Sequence, residues 1–537
     1  MTIRSWLFLS VFTLPLFVSL DTSSIWDSNE AFYVQTPKEM VETSDWIVPH
    51  FNDQVRLNKP PFSYWLVATF YSFFGVSVFW ERLLTATCAL ASILAVLNLG
   101  NHLFSIRIAI LASGIFATTF RFLILSRRSL IEILLLALLL WSLVFFLKWT
   151  RSPRSIYLYS GSLMLALAFL TKGPIAMLAL IIFGIYLVIF RKTKVLKTSS
   201  LITALLLFLV VAGSWFIALG IEFGWSPVWE FFLIENLGRY TSIDYGPQRG
   251  FFYYPIVFLG DFLPWSLFFV LSLLYWLLGA RKRQGKKARQ SMLFLGLWIT
   301  IWIAIFSFSH NKQEYYILPI YPAASLWLSS FLLSNKFGRF SALPAAFLVV
   351  FASLIMATAM TILAGPKIIW WLIMVPSLSF AVFIVQNKWK ASVTSLSLCF
   401  LLAFYFYSEP LEDFRPIRKL AHKIETLENN REGPFQAGYF KFACPSLTFY
   451  LNQPILQLSE IEEAISALSA KKRTYLIVEK LDLHNLMRHG TSFYIVGTAP
   501  LLRTTLRNLI QILKSRNWMH SKSWTREIFL VSNSPID

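Results

Sequence analysis

Acidic and basic side chains lie close together in one polar segment of a chain that is otherwise strongly apolar. The stretch WDSNEAFY contains Asp27 and Glu30, and the later stretch LNKPP contains Lys59. A carboxylate can take the proton of an attacking hydroxyl, while lysine or arginine can bind a phosphate that leaves as an anion. Further cations of this kind are Arg56, Arg239 and Lys312. These residue types suit a group transfer from a lipid phosphate to a hydroxyl, with Asp27 or Glu30 as the base.

Each of these charges has a more ordinary explanation when it is taken alone. Charged side chains of loops are usually solvated, and lysines near a membrane extend their ammonium groups toward lipid phosphates. The chemical hypothesis therefore depends on the elements that bring the charges together.

The composition is that of a protein with many membrane spans. Of the 537 residues, 56% are hydrophobic and 14% are charged, and the mean hydropathy is +0.60. Apolar stretches of about 17 to 25 residues, enough to cross a hydrocarbon core of ~30 Å, recur as far as residue 408. We predict thirteen spans, at 5–21, 79–99, 105–121, 130–149, 155–171, 173–190, 200–220, 254–279, 291–308, 314–334, 341–363, 367–386 and 389–408. The first stretch could be a cleaved signal peptide, but no clear cleavage site follows it, so we expect a retained helix.

The net charge of +20 is explained by its distribution along the chain. With the N-terminus in the cytoplasm, the inner loops are rich in Lys and Arg and contain no Asp or Glu, as in RKRQGKKAR at 281–289. Nearly all the acids of the membrane part fall in the opposite loops. This positive-inside bias predicts a multi-pass protein of the cytoplasmic membrane with a cytoplasmic N-terminus and an outer C-terminal region. The basic charge then requires membrane lipids as neighbours but no nucleic-acid partner.

The sequence divides into a membrane part, 1–408, and a C-terminal part, 409–537. In the second part charged residues become frequent, and alternating runs such as FQAGYFKF and RTYLIVEK surround a helical SEIEEAISALSA, which predicts a small soluble α/β domain outside the cytoplasm. Within the membrane part, the outer loops 21–78 and 221–253 are long enough to be functional. Three isolated cysteines, Cys88, Cys399 and Cys444, indicate neither a disulfide framework nor a metal cluster.

The first outer loop contains two predicted helices. SNEAFYVQTPKEMVETSDW mixes apolar and charged residues as a short amphipathic helix in the membrane interface would. Pro60 and Pro61 are suited to the first turn of a helix over FSYWLVATFYSFFG, because proline lacks only an N–H that would be unpaired there. Lys59 would then occupy a fixed position at the depth of lipid phosphates.

The order of several motifs resembles the bacterial membrane glycosyltransferases related to protein O-mannosyltransferases and to the aminoarabinose transferase of lipid A. The motifs are IWDSNEAFYVQTPKEM, LNKPPFSYW, LSRRSLIEILLLALL, LAFLTKGPIAML, FFLIENLGRYTS, YYPIVFLGDFLPW and SFSHNKQEYYILPIYPAAS. The resemblance implies a GT-C fold, a polyprenyl-phosphate sugar donor and inverting transfer on the outer membrane face. The implied acceptor is a glycolipid such as lipid A, or a protein.

The resemblance also implies catalytic acids. The family's first-loop acid falls on or beside Asp27, although the strict aspartate–glutamate pair would align with Asn29 and Glu30, so Asp27 is the first candidate base and Glu30 the second. The family's membrane acid falls on Glu132, where Asp is usual. An intramembrane carboxylate is a functional candidate by default, and the alternative here is a structural partner of Arg127 or Arg128.

The residues implied to bind the lipid phosphate are Lys59, Arg239, Lys312 and Tyr316. Tyr316 could equally be one of the tyrosines that line a membrane interface. In the aminoarabinose-transferase pattern an acid and a histidine that can hold a divalent metal occupy the positions that are Asn58 and Asn236 here. Amide oxygens are poor transition-metal ligands, so we predict that no metal or other cofactor is required. His50 and His310 are outer histidines that could reverse this prediction.

Two other functions remain open from the sequence. A transporter or flippase of lipid-linked sugars would use the same cations without a base, and it would carry charged helices near the bilayer midplane, for which Glu132 and Asp261 are the candidates. A non-catalytic protein of envelope glycan assembly would explain the irregular register at Asp27 and the two asparagines.

Overall fold

The computed structural model describes residues 3–27, 30–128, 130–192, 198–241, 249–278, 285–334, 339–429, 431–502 and 524–535. Within these ranges the chain forms a large helical part followed by a smaller part that contains a five-stranded sheet.

The helical part consists of apolar helices broken at prolines, glycines and basic turns. Its helices are α1 (Ile3–Phe17), α2 (Glu30–Thr43), α3 (Phe62–Phe74), α4 (Val78–Leu103), α5 (Ile106–Ala117), α6 (Phe120–Leu125), α7 (Leu130–Arg151), α8 (Ser155–Lys172), α9 (Leu178–Ile189), α10 (Thr198–Phe223), α11 (Ser226–Glu230), α12 (Arg239–Thr241), α13 (Tyr253–Asp261), α14 (Trp265–Leu277), α15 (Lys286–Ser307), α16 (Ile320–Ser334), α17 (Arg339–Ala364), α18 (Met374–Val385) and α19 (Trp389–Leu411). Short 3₁₀ turns lie at Gly173–Met177, Glu314–Ile317, Ile368–Trp371 and Glu412–Phe414, and a π-helix lies at Phe231–Gly238. A hairpin of β1 (His50–Phe51) and β2 (Gln54–Val55) lies in the first outer loop.

The predicted number of thirteen spans is not confirmed. In the described ranges, eight helices are long and apolar enough to cross a membrane, or nine if α13 and α14, bent by 119°, form one span. Three of the predicted stretches are helices of at most 17 residues, and the predicted pair 155–171 and 173–190 is one continuous candidate of 35 residues, Ser155–Ile189. The difference arises because apolar character alone does not show where a helix bends or stops short of the full bilayer thickness.

The two helices predicted for the first outer loop are present. Helix α3 begins at Phe62 directly after Pro61, as the proline pair predicts, and it ends before Gly75, whose φ is +82°. Helix α2 covers the amphipathic stretch, but most of it is buried, including Lys38 and Glu39. It packs against α3 and against the C-terminal part, so the prediction that it lies at the lipid interface is wrong.

The C-terminal part is the small α/β unit that the alternating pattern predicts. Its strands are β3 (Phe435–Phe440), β4 (Leu456–Leu458), β5 (Arg473–Glu479), β6 (Tyr494–Leu502) and β7 (Thr525–Ser532), and its helices are α20 (Pro416–Glu428), α21 (Ser446–Leu451), α22 (Ile461–Ser469) and α23 (Lys480–Arg488). The sheet order is β4-β3-β5-β7-β6, with β4, β3 and β5 parallel and β7 antiparallel to its neighbours. Apolar residues on both faces of the sheet pack against the helices.

The C-terminal part contacts the first outer loop through specific hydrogen bonds. The backbone N–H of Ile25 donates to the Tyr450 hydroxyl at 2.7 Å. The side-chain amide of Asn52 accepts the backbone N–H of Ile455 at 2.7 Å and donates to the Ile455 carbonyl at 3.0 Å. Ser24 bonds the Glu412 carboxylate with its N–H and its hydroxyl. These contacts fix the loop that carries the candidate base against a folded unit rather than leaving it to solvent.

Candidate active site

Charged residues from four separate elements meet beside the first outer loop. They are Lys59 just before α3, Glu132 in the first turn of α7, Lys172 at the end of α8, and Glu235 with Arg239 on the π-helix and just after it. The other four residues act electrostatically on Lys59. We call this set of five residues the cation cluster, because three of them are positive.

Glu132 and Lys172 form the buried ion pair of the cation cluster. Lys172 Nζ lies 2.5 Å from Glu132 Oε1, and their side chains are 10% and 8% exposed. The alternative partners predicted from sequence are wrong. Arg127 donates to the backbone carbonyls of Pro15 and Ser19, and Arg128 lies over the Trp26 ring at 3.6 Å.

Lys59 lies among like charges. Burial, followed by the positive charges of Arg239 and Lys172, lowers the pKa of Lys59 to about 7. Its ammonium donates to the carbonyl of Asn58 at 3.0 Å. Because one carbonyl satisfies one of three ammonium donors, this lysine retains capacity to bind an anion.

Arg239 is positioned by an unusual stretch of helix. Phe231–Gly238 is a π-helix, a form that is rare in proteins and is frequently found at functional sites. Arg239 Nη2 lies 2.6 Å from Glu235 Oε2 one turn earlier. The same element approaches Gly173 so closely that a Cβ there would lie 2.9 Å from the Phe231 ring, and Gly173 has φ +75°. The glycine of the LTKGP motif therefore permits the contact that places Lys172 beside the π-helix.

Two tyrosines cover the cluster. The Lys172 ammonium lies 5.1 Å from the ring centroids of both Tyr315 and Tyr316, a distance at which an aromatic face attracts a cation. Tyr316, predicted as a phosphate ligand, is thus placed at the cation cluster. Tyr315 was not predicted.

Lys312 has a local partner. Its ammonium donates to the Ser309 carbonyl, and its own carbonyl accepts from Arg249 at 2.8 Å. Burial lowers the pKa of Lys312. The role of Lys312 in phosphate binding remains a prediction.

Asp27 lies between the first outer loop and the C-terminal part. Its carboxylate accepts the backbone N–H of Ser446 at 2.9 Å. Burial raises the pKa of Asp27 to about 6, with a smaller contribution from Glu30, and the bonds to Ser446 oppose the shift. A carboxylate with this pKa is ionised at neutral pH and is close to the proton affinity suited to a general base.

Glu30, the second candidate base, is held by a buried arginine. Two oxygens of Glu30 accept from Arg82 at 2.6 and 3.1 Å, and the backbone N–H of Trp26 donates to the same carboxylate at 2.7 Å. Glu30 is 1% exposed and Arg82 is 2% exposed. These bonds fix the start of α2 beside Asp27, and sequence reasoning missed Arg82 entirely.

A cavity opens beside the cation cluster. It has a volume of about 490 Å³ and lies between the first outer loop, the π-helix and the C-terminal part. Its polar lining residues are Gln54, Arg56, Asn58, Glu230, Glu235 and Gln457. Arg56 also lies over the Phe32 ring at 3.8 Å. A polar group of the size of a sugar fits in this space.

The two asparagines that replace possible metal ligands lie near the cavity. The Asn236 amide donates to the Phe231 carbonyl at 2.7 Å, and Asn58 lines the cavity. In the ranges that the structure describes, no three His, Cys, Asp or Glu residues are close enough to hold a metal. His50 lies in β1, and His310 donates its backbone N–H to Tyr240. Independence of metal rests on the amide chemistry and stays a prediction.

Asp261, the other candidate intramembrane acid, is engaged in a separate ion pair. Arg121 binds both its oxygens at 2.8 and 3.1 Å, and the Tyr321 hydroxyl donates to it at 3.0 Å. This fully bonded arrangement connects α6, α13 and α16 and is typical of a structural link.

Comparison with known proteins supports the resemblance to membrane glycosyltransferases that the sequence motifs indicate. The family described as dolichyl-phosphate-mannose-protein mannosyltransferase matches residues 5–232. An uncharacterized protein of Aquifex aeolicus is 30% identical over 330 residues, which are 60% of this chain and 71% of the relative. Undecaprenyl phosphate-alpha-4-amino-4-deoxy-L-arabinose arabinosyl transferase 1 of Proteus mirabilis is 28% identical over 338 residues, 61% of this chain. The match spans 59% of that transferase, so the chain aligns with about three fifths of its length.

A solved structure extends the likeness over the whole fold. The crystal structure of ArnT from Cupriavidus metallidurans bound to undecaprenyl phosphate superposes with a TM-score of 0.75, covering 99% of each chain at 17% identity. At this identity the superposition shows a common fold. The sequence relatives and this fold agree with the predicted GT-C architecture, and the chain belongs to the GT-C membrane glycosyltransferases of the protein-mannosyltransferase and aminoarabinose-transferase type.

Proposed function

We propose that this glycosyltransferase moves a sugar from a polyprenyl-phosphate donor to an envelope acceptor on the outer face of the bacterial cytoplasmic membrane. The observation that carries the proposal is the convergence of Lys59, Lys172 and Arg239 beside a polar cavity. The cation cluster holds three cations and two carboxylates, and this excess of positive charge suits a phosphate group. The Cupriavidus metallidurans relative was solved with undecaprenyl phosphate, and the Proteus mirabilis relative is named for a donor linked to the same lipid.

The proposed reaction places its charge changes on these residues. The acceptor oxygen attacks the anomeric carbon as the bond from that carbon to the phosphate oxygen breaks, which inverts the configuration. The bond electrons stay on the lipid phosphate, whose negative charge grows and is stabilised by the cation cluster. The acceptor proton passes to Asp27.

Asp27 is the proposed base because its pKa near 6 lets it accept a proton at neutral pH. It faces the C-terminal part, so the acceptor is expected to approach between that part and the cavity. Glu132 replaces Glu30 as the second candidate, because Arg82 binds both oxygens of Glu30 whereas Glu132 lies inside the cation cluster. In the proposed mechanism Glu132 holds Lys172 in place until the phosphate binds. Lys312 and Tyr316 are proposed as further phosphate ligands, and Glu30 as the support of Asp27.

The topology proposed for this reaction follows the charge distribution. The N-terminus lies in the cytoplasm, and the C-terminal part, residues 409–537, lies on the outer side over the loops 21–78 and 221–253. The acceptor is a glycolipid such as lipid A, or a protein.

Mass spectrometry of lipid extracts and envelope glycans tests this function. A deletion strain is expected to accumulate one polyprenyl-phosphate sugar and to lose one glycan modification, and wild-type protein restores both. Asp27→Asn at equal expression should behave as the deletion, because an amide cannot accept the proton. The matched control is Asp53→Asn, which removes an acid from the exposed turn of the same loop.

The outcomes separate the proposals. If neither lipid nor glycan changes in the deletion, the transferase function is wrong. If Asp27→Asn restores the modification, Asp27 is not the base, and Glu132 becomes the first candidate. Transfer by purified protein in detergent micelles would contradict the transporter alternative, because no membrane separates donor from acceptor there.

Binding of undecaprenyl phosphate should depend on pH through Lys59. The pKa of Lys59 is lowered to about 7 in the free protein, and an anionic phosphate stabilises its charged form. Above pH 7 binding must therefore take up a proton, so affinity should fall by about tenfold per pH unit. Lys59→Arg, which stays charged, should bind with little change in this range. Fluorescence titration with undecaprenyl phosphate from pH 6.5 to 9 measures the affinity of wild type and of Lys59→Arg. If affinity falls equally steeply with pH in the two proteins, Lys59 is not the group that takes up the proton.

A further inference from the structure

A second cavity, with a basic lining, lies far from the candidate active site. It has a volume of about 250 Å³ and is lined by residues at the end of α4, the end of α7 and the start of α8. Glu132 and Arg151 lie at opposite ends of α7, nineteen residues apart. At 1.5 Å per residue this separation is about 28 Å, which is close to the thickness of a hydrocarbon core. The cavity is therefore at the opposite membrane surface.

The polar lining of this cavity favours an anion. Lys148 and Arg151 supply cations, Asn98 and Asn101 supply amide donors, and Ser152 supplies a hydroxyl. The lining residues include no Asp or Glu. The segments that build the cavity also contain no acid between residues 83 and 131 or between 133 and 221. Among the described residues, the walls of the cavity therefore offer these cations no acidic partner.

His102 shows how strongly the positive charge concentrates there. It lines the cavity, and its Nε2 lies 3.0 Å from the Tyr186 hydroxyl. Four cations act on this one side chain, namely Lys148 and Arg151 at the end of α7, Lys192 after α9 and Lys287 at the start of α15. Four like charges gathered around one cavity repel one another, and a bound anion would remove that cost.

The remaining lining indicates what carries the anion. Leu99, Val144 and Leu147 form an apolar wall, and Tyr157 is an aromatic residue of the type found at membrane interfaces. A headgroup phosphate at the bilayer surface would meet the cations while its glycerol and first methylenes meet the apolar wall. Basic pockets between membrane helices are known to hold anionic lipid headgroups.

We propose that this cavity binds a phosphate group, carried by an anionic phospholipid of the leaflet opposite the candidate active site or present as free phosphate. The site is independent of the proposed transfer reaction, and the shape of its wall favours the lipid. Lys148 and Arg151 contact the phosphate, and the asparagine amides complete its hydrogen bonds.

Native mass spectrometry of the purified full-length protein tests the proposal, with phosphatidylglycerol as probe and phosphatidylcholine as the neutral reference. The double variant Lys148→Gln with Arg151→Gln should bind phosphatidylglycerol at least tenfold more weakly than wild type. Its matched control is Arg107→Gln with Arg154→Gln, which removes the same charge from exposed positions outside the cavity lining. The control should stay within twofold of wild type.

Each outcome decides the question. Equal losses in the two double variants would show a general surface-charge effect and overturn the site. Equal binding of phosphatidylglycerol and phosphatidylcholine by wild type would also overturn the lipid source, and calorimetry with inorganic phosphate then decides. Phosphate binding that is lost only in the cavity variant assigns the site to free phosphate. A thermal unfolding midpoint for each variant confirms that binding losses do not follow from misfolding.

Discussion

Lys172→Ala is expected to reduce kcat/KM for sugar transfer by about a thousandfold, because it removes a preorganised cation from the leaving phosphate. The substitution also leaves Glu132, whose side chain is 8% exposed, buried without its partner. An added negative charge beside the phosphate opposes the transition state directly. The loss should therefore fall mainly on kcat, as measured by single-turnover transfer from a polyprenyl-phosphate sugar in micelles.

A double variant separates catalysis from folding. Lys172→Gln with Glu132→Gln replaces the ion pair by two amides that can hydrogen-bond each other, so its unfolding midpoint should lie closer to wild type than that of Lys172→Ala. Activity should remain low, because the cation is still missing. Recovery of wild-type kcat in the double variant would show that the pair is structural and that Lys172 does not act on the phosphate.

Arg82→Ala is expected to destabilise the protein by roughly 3 to 5 kcal/mol, the usual cost of breaking a buried ion pair on one side. Arg82 binds both oxygens of Glu30, and it also donates to the carbonyls of Leu20 and Ser23 at 2.8 Å. Its loss removes the anchor of the segment before Asp27. Thermal unfolding in detergent, followed by tryptophan fluorescence, measures the change.

The matched variant for this prediction is Glu30→Gln with Arg82→Met. It removes both charges and keeps similar volume, so it should be more stable than Arg82→Ala, because no buried carboxylate is left alone. If Arg82→Ala lowers the free energy of unfolding by less than about 1 kcal/mol, water reaches Glu30. The Arg82–Glu30 pair would then not be the anchor of the segment that carries Asp27.

The fold was largely predictable because its signals are local. Apolar runs predict membrane helices, and the proline pair after Lys59 predicts the start of α3 at Phe62. The alternating runs FQAGYFKF and RTYLIVEK predict β3 and β5, whereas β6 was missed because YIVGTAPLL lacks regular alternation. The bend between α13 and α14 and the buried position of α2 depend on tertiary packing, which sequence periodicity does not contain.

The candidate site was predicted only in part because its pairs join distant residues. Lys59, Arg239, Glu132 and Tyr316 were each predicted, and the structure brings them together. Lys172, forty residues from Glu132, was overlooked although it stands in an apolar stretch. Charges within membrane segments are rarely left alone, so an unpaired Glu132 and an unpaired Lys172 could have been matched from sequence. The π-helix that carries Glu235 toward Arg239 has no such signal.

The contact of the C-terminal part with the first outer loop has a consequence for biosynthesis. Asp27 meets Ser446, Ile25 meets Tyr450, and Asn52 meets Ile455, so each contact joins residues separated by about four hundred positions. Chains are made from the N-terminus, and most of the membrane helices are inserted before residues 446–455 are synthesised. The loop bearing Asp27 consequently reaches its final form only after residues 446–455 have been made, and a chain released before that point would be inserted in the membrane yet lack an assembled base.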